Sequence, residues 1–122
     1  MNPSDRAMRQ ILETAKTIAV VGLSDKPDRD SYRVAKYLQD HGYRIIPVNP
    51  TVDEVLGEKS YASVTDIPGQ VDIVDVFRKA DFVPGIVDEA IAVGAKTVWA
   101  QLDVVSDEAR EKALAAGLNY SE

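Results

Sequence analysis

Residues able to bind an anion recur just after the apolar, β-branched segments of this chain. The small and polar ones are Gly22, Ser24, Asn49, Pro50 and Gln101, and the basic ones are Lys26, Arg29, Arg33, Arg78 and Lys79. The chain has 122 residues and a net charge of −6, so these basic residues are a local exception. Main-chain amides, helix N-termini and cationic side chains are the groups that bind phosphates. The pattern therefore predicts a site for a phosphate-bearing ligand.

Each of these residues also has a plainer structural explanation. A glycine such as Gly22 suits any turn from a strand to a helix, and Ser24 is a common turn residue. Asn-Pro, at positions 49 and 50, commonly opens a turn. Solvated surface charge is the favoured explanation for three of the basic residues, Lys26, Arg29 and Lys79. The ligand hypothesis depends on whether these residues meet at one place in the fold.

The order of the apolar segments predicts where they meet. Strands are predicted at residues 17–21, 43–48, 72–77 and 96–100, with helices beginning near Ser31, Asp81 and Ser106 and a lead-in helix within residues 1–15. Asp81 is expected to cap its helix, and residues 51–70 are expected to form a turn-rich crossover. Regular alternation of strands and helices is typical of right-handed βαβ units. We therefore predict one domain over residues 1–122, an α/β Rossmann-like doubly wound parallel sheet of four or five strands with helices on both faces. In such a sheet the carboxyl ends of the strands form the ligand cleft.

Composition excludes several classes of function. A pI of about 4.7 provides no basic field for nucleic acid or an anionic membrane. The chain has no cysteine and one histidine, so thiolate metal sites, cysteine nucleophiles and most triads are excluded. No apolar run is long enough to span a bilayer, and the first residues lack the apolar stretch of a signal peptide. We expect a soluble, cytoplasmic protein with no metal site and no catalytic constellation.

The loop after the first strand argues against a dinucleotide. The fingerprint G-x-G-x-x-G requires three glycines, and this loop has only Gly22, with Ser24 at the second position. An acidic residue is also expected at the end of the second strand to bind the ribose, and Asn49 stands there. The chain has no Walker lysine either. NAD, NADP and P-loop nucleotide chemistry are therefore disfavoured.

Several ordered motifs together resemble the small bacterial and archaeal coenzyme A-binding domain proteins. They are GLSDKPDRDSYRVAKYL from Gly22, IIPVNP from Ile45 with VLGEKSY after it, DIVDVFR from Asp72, and AVGAKTVWAQL from Ala92. That family is similar to the nucleotide-binding first domain of the α subunit of succinyl-CoA synthetase. The resemblance covers residues 16–118 and implies a Rossmann-like domain that binds coenzyme A (CoA) or acyl-CoA without a reaction of its own.

The resemblance also implies a set of binding residues. It places the pyrophosphate on a loop with nearby supporting side chains, namely Gly22, Leu23, Ser24, Lys26, Arg29 and Ser31. A second set borders the adenosine or pantetheine portion, namely Val48, Asn49 and Pro50. Phe77 and Arg78 would line the cleft from the third strand, and Gln101 would close it from the fourth.

Two departures from the family pattern keep other functions open. Asp103 stands where relatives have glycine, and the chain stops early enough that the last strand is expected to be short or missing. The alternatives are a partner-dependent subunit of an acyl-CoA ligase, an oxidoreductase-type nucleotide-binding enzyme, or a regulatory domain that has lost its ligand. A homo-oligomer or another protein partner is also left open.

Overall fold

A five-stranded parallel sheet forms the centre of the protein, as seen in a computed structural model that describes residues 5–101 and 106–121. The sheet strands are β1 (Thr17–Val21), β2 (Arg44–Val48), β5 (Ile73–Val76), β6 (Thr97–Ala100) and β7 (Asn119–Ser121). A separate antiparallel hairpin is formed by β3 (Glu54–Val55) and β4 (Glu58–Lys59). The predicted α/β class and parallel sheet of four or five strands are confirmed, and the sheet has five.

Helices cover both faces of the sheet. They are α1 (Asp5–Thr14), α2 (Asp30–Asp40), α3 (Val83–Ala92) and α4 (Asp107–Ala115). Alternate strand residues point to opposite faces, so β1, β2 and β5 each contribute to two apolar clusters. Ala35 and Leu38 of α2 pack with Ile18 and Ile73 on one face. On the other face, α3 and α4 pack against the second cluster.

The strand order places a natural cleft beside β1. The order is β2-β1-β5-β6-β7, and every neighbouring pair is parallel. From β1 the chain passes through α2 to β2 on one side, and β5 lies on the other side. The helices that follow these strands leave from opposite faces, which opens a crevice at the carboxyl ends. This topological switch point lies directly above the Gly22 loop.

Two local details differ from the sequence-based expectation, at the start of α3 and at the β3–β4 hairpin. Ser106 begins the last helix as predicted and caps it, since its Oγ accepts from the main-chain N–H of Ala109 at 3.2 Å. The prediction that Asp81 caps the third helix is wrong, because Asp81 lies within a 3-10 turn and Phe82 occupies the N-cap without a side-chain hydrogen bond. The β3–β4 hairpin was expected only as a turn-rich crossover. The last strand is present but short, with three residues paired to β6.

Candidate functional site

A cavity of about 570 Å³ lies at the carboxyl ends of β1 and β2, beside the N-terminus of α2. Its lining comes from the loop after β1, the loop after β2 and the end of β5: Gly22, Ser24, Asp25, Lys26, Asp28, Arg29, Asp30, Ser31, Asn49, Thr51, Val52 and Phe77. This volume is within the range of small-molecule sites. The cavity therefore occupies the position where the topology of the sheet predicts a ligand.

Gly22 is required by the close approach of two chain segments. Its φ of +84° is a conformation that side chains disfavour. A Cβ at this position would lie 2.6 Å from the main-chain oxygen of Phe77. The main-chain N–H of Gly22 donates to Val48 O at 2.9 Å, so the loop is also fixed to β2. Gly22 thus lets β1, β2 and β5 meet at the floor of the cleft.

The loop after β1 is held in place by its own serines. The main-chain N–H of Ser24 donates to Ser31 Oγ at 3.0 Å, and that of Lys26 donates to Ser24 Oγ at 3.1 Å. Ser31 is buried in the first turn of α2, so the loop is fixed to that helix. Arg29 occupies the N-cap of α2 without a side-chain hydrogen bond. Because the first amides of a helix have no acceptor within the helix, this end of α2 presents N–H donors to the cavity.

Asn49 joins the two loops that form the cleft. Its Nδ2 donates to the main-chain oxygen of Leu23 at 3.0 Å. Its Oδ1 accepts from the main-chain N–H of Thr51 at 2.9 Å and from Thr51 Oγ1 at 2.7 Å. The main-chain N–H of Asn49 donates to Tyr61 O at 2.9 Å, which fixes the same residue to the segment after β4. The side chain is therefore largely occupied by contacts within the protein.

The structure brings most of the sequence-predicted residues to the cavity and leaves others aside. Seven line it: Gly22, Ser24, Lys26, Arg29, Ser31, Asn49 and Phe77. Five lie outside its lining: Leu23, Val48, Pro50, Arg78 and Gln101. The side chains of Leu23 and Val48 are buried in the core, and Pro50 is exposed. Asp103 lies outside the described residues.

The side chains of Arg78 and Gln101 turn toward protein partners instead of the cavity. The guanidinium of Arg78 stacks over the ring of Phe82, 4.1 Å from its centroid. Gln101 Nε2 donates to Asp75 Oδ1 at 2.9 Å. Neither residue is part of the cavity lining, although the side chain of Arg78 passes close to Gly22.

Three aspartates in the lining were not among the predicted residues. Asp25, Asp28 and Asp30 face the same cavity as Lys26 and Arg29, so these side chains sum to −1. All five are exposed, which lets water screen their charges. Their alternation with the basic residues in the DKPDRD run was visible in the sequence. The charge offered to an anion here comes mainly from main-chain dipoles.

Asp75 is a buried carboxyl group in the middle of β5. It pairs in register with Val20 on one side and Trp99 on the other, and its side chain is fully buried. Oδ1 accepts from Gln101, but Oδ2 has no hydrogen-bond partner among the described residues. Burial raises the pKa of Asp75 to about 7, and the hydrogen bond from Gln101 opposes this rise. The sequence signal was the aspartate within the apolar run IVDVF, which the strand prediction did not weigh.

Comparison with known proteins agrees with this architecture. The family model described as "CoA binding domain" matches residues 16–122. An uncharacterised Bacillus subtilis protein, YneT, is 51% identical over 108 residues, covering 88% of this chain and 80% of its own length. A hypothetical protein from Pyrococcus horikoshii has a solved structure with a TM-score of 0.94 and 47% identity, covering 98% of this chain and 84% of that one.

A larger class of relatives consists of ligases. The α subunit of an ADP-forming acetate–CoA ligase II from Pyrococcus furiosus is 39% identical over 82 residues, which is 66% of this chain. That match corresponds to only 18% of the subunit, so this chain spans a small part of the ligases it resembles. The resemblance to CoA-binding proteins, derived from the loop and strand-end motifs, is confirmed. This chain belongs to the CoA-binding domain family.

Proposed function

We propose that this domain binds CoA or acyl-CoA at the cleft above β1 and β2 and catalyses no reaction of its own. The observation that supports the proposal best is the cavity at the switch point, which lies against the unblocked N-terminus of α2. CoA carries a pyrophosphate and a further phosphate on one end and an uncharged pantetheine arm on the other. A cleft that combines the N–H donors at the start of α2 with the apolar side chains of Val52 and Phe77 matches both portions.

Main-chain N–H groups that already donate hydrogen bonds within the protein cannot serve as the main donors to the phosphates. The main-chain N–H groups of Gly22, Ser24 and Lys26 donate within the protein. We therefore assign the pyrophosphate to the first-turn amides of α2 and to the side chains of Lys26 and Arg29. Helix amides bind an anion through oriented dipoles, and the cationic side chains add charge-assisted hydrogen bonds.

Calorimetric titration tests this proposal directly. We expect CoA to bind more tightly than dephospho-CoA, and NAD to bind weakly or not at all. Lys26→Ala and Arg29→Ala should each weaken CoA binding by up to about fivefold, because both side chains are exposed and an exposed charge pair contributes about 0.2–1 kcal/mol. Lys79→Ala is the matched control, because Lys79 is exposed and lies outside the cavity lining. If millimolar CoA produced no heat and no thermal shift, the proposal would be overturned.

A second candidate function is a partner-dependent subunit of an acyl-CoA ligase. The similarity to ADP-forming acetate–CoA ligases favours it. The single histidine, His41, lies at the C-terminal end of α2, where its Nδ1 is 2.7 Å from the main-chain oxygen of Tyr37. An 11-residue helix separates this end from the cleft by about 16 Å. We therefore expect the chain alone to form no acyl-CoA from an acid, ATP and CoA; turnover by the purified chain would reverse this ranking.

We also expect the protein to act in the cytoplasm. Among the described residues, no helix combines the length and apolar character needed to cross a membrane. The proposal includes a protein partner, either a second copy of this chain or a ligase subunit. The ligase relatives are much longer than this chain, so in them the matching domain is joined to further parts of the protein.

A further inference from the structure

Asn49 lies on the wall of the cleft, where a ligand contact would be its expected role. However, most of the hydrogen-bonding capacity of its side chain is taken up by bonds within the protein. A carboxamide has two acceptor lone pairs on oxygen and two N–H donors on nitrogen. Oδ1 accepts twice from Thr51, and Nδ2 donates once to Leu23 O. One N–H is therefore the most that the Asn49 side chain can offer to a ligand.

The partners also fix which way the carboxamide faces. Leu23 offers a main-chain oxygen, which needs a donor, and Thr51 offers a main-chain N–H, which needs an acceptor. Rotating the amide by 180° would place oxygen against oxygen and N–H against N–H. An aspartate or an alanine at this position cannot make the same set of bonds.

The two partners belong to different walls of the cavity. Leu23 is in the loop that leads into α2, and Thr51 is in the loop that leaves β2. Ser24, next to Leu23, and Thr51 itself both line the cavity. The bond from Asn49 to Leu23 spans 26 positions of sequence, so it fixes one wall relative to the other.

We propose that Asn49 is a positioning residue, whose carboxamide fastens the loop after β1 to the loop after β2 and so sets the separation of the two walls that bind the ends of CoA. This inference rests on the proposed function and refines it. A contact residue acts on the portion of the ligand that it touches. A positioning residue acts on both portions, because it fixes the walls before any ligand arrives.

Two fragments of CoA distinguish these roles. Adenosine 3′,5′-bisphosphate and 4′-phosphopantetheine each contain one end of CoA with one phosphate of the pyrophosphate. We expect Asn49→Ala to weaken CoA and both fragments by about tenfold, because it removes the partly buried hydrogen bond from Nδ2 to Leu23 O as well as the two bonds to Thr51. Thr51→Val is the milder control, since it removes the Oγ1 bond and keeps the main-chain N–H bond to Oδ1. We expect it to weaken binding by about threefold or less.

Amide hydrogen exchange on the ligand-free variants provides a readout that a ligand contact would not move. We expect faster exchange in both loops, at residues 23–26 and 51–52, in Asn49→Ala and Asn49→Asp. The main-chain bonds of Asn49 to Tyr61 and Ser60 do not involve its side chain, so we expect both variants to keep the fold. An unchanged exchange rate in the two loops, or an affinity loss confined to one fragment, would overturn the proposal. If the wild-type protein binds no CoA, the proposed function fails, and the exchange rates alone still decide whether Asn49 joins the loops.

Discussion

Replacing Asp75 with asparagine should remove the loss of stability that ionisation of this buried carboxyl causes between pH 5 and pH 8. The wild-type carboxyl is fully buried with one hydrogen-bond donor, Gln101, and burial raises its pKa from 3.8 to about 7. In the unfolded chain the group loses its proton near pH 4. Above that pH the folded state holds more protons than the unfolded state, so the free energy of unfolding falls as the pH rises toward 7 and then levels off.

The magnitude follows from the difference between the two pKa values. A difference of about three corresponds to about 4 kcal/mol of destabilisation above pH 7, since each pKa unit is about 1.4 kcal/mol. More than half of this develops between pH 5 and pH 8. Asparagine keeps an oxygen that accepts from Gln101 and has no charge to bury. The Asp75→Asn variant should therefore gain about 2–3 kcal/mol relative to wild type on going from pH 5 to pH 8.

Urea unfolding at the two pH values measures this difference, with the fluorescence of the single tryptophan, Trp99, as the probe. Comparing variant with wild type at each pH cancels the titration of every other group. Asp53→Asn is the matched control, because Asp53 is exposed and its substitution should change stability by less than about 0.5 kcal/mol at either pH. An Asp75→Asn effect of equal size at pH 5 and pH 8 would refute the reasoning, since it would show that the buried carboxyl does not titrate in this range.

Two further perturbations test the cleft itself. Gly22→Ala and Gly42→Ala both place a side chain at a positive φ, but only Gly22 faces a main-chain oxygen at 2.6 Å, that of Phe77. We expect Gly42→Ala to cost about 1 kcal/mol and Gly22→Ala about 1–3 kcal/mol more in urea unfolding; equal losses would contradict the close approach. The double substitution of Asp25 and Asp28 by asparagine should strengthen CoA binding about three- to tenfold at low salt, because it removes two negative charges from the lining. This gain should shrink as salt is added, and weaker binding of the double variant would contradict it.

The sheet could be predicted from the sequence because its strands are continuous apolar runs. Parallel strands buried on both faces select such runs, and Gly42, Gly94 and Gly117 mark the helix ends between them. The start of α3 could not be predicted as well, because Asp81 has the residue type of an N-cap but belongs to a preceding 3-10 turn. The β3–β4 hairpin is only two residues long on each strand, which is too short for a period of two to be recognised.

The candidate site was predictable to the level of the loops but not of the side-chain directions. Residue type and position placed Arg78 and Gln101 at strand ends, and both are there. Their side chains turn to Phe82 and to Asp75, and the sequence contains no local pattern that identifies these partners. Such pairings depend on three-dimensional packing across strands and turns.

The same distinction explains why polar residues at strand ends are ambiguous markers of ligand contact. Ser31 and Asn49 both line the cavity, yet the described hydrogen bonds of their side chains go to the loops that form it. Ser31 fixes the Ser24 amide, and Asn49 fixes Leu23 against Thr51. A loop ordered before the ligand binds loses little conformational entropy on binding, so these bonds favour affinity without touching the ligand. In a cleft whose charged side chains sum to −1, fixed walls and oriented helix amides are the features best suited to bind a polyanion.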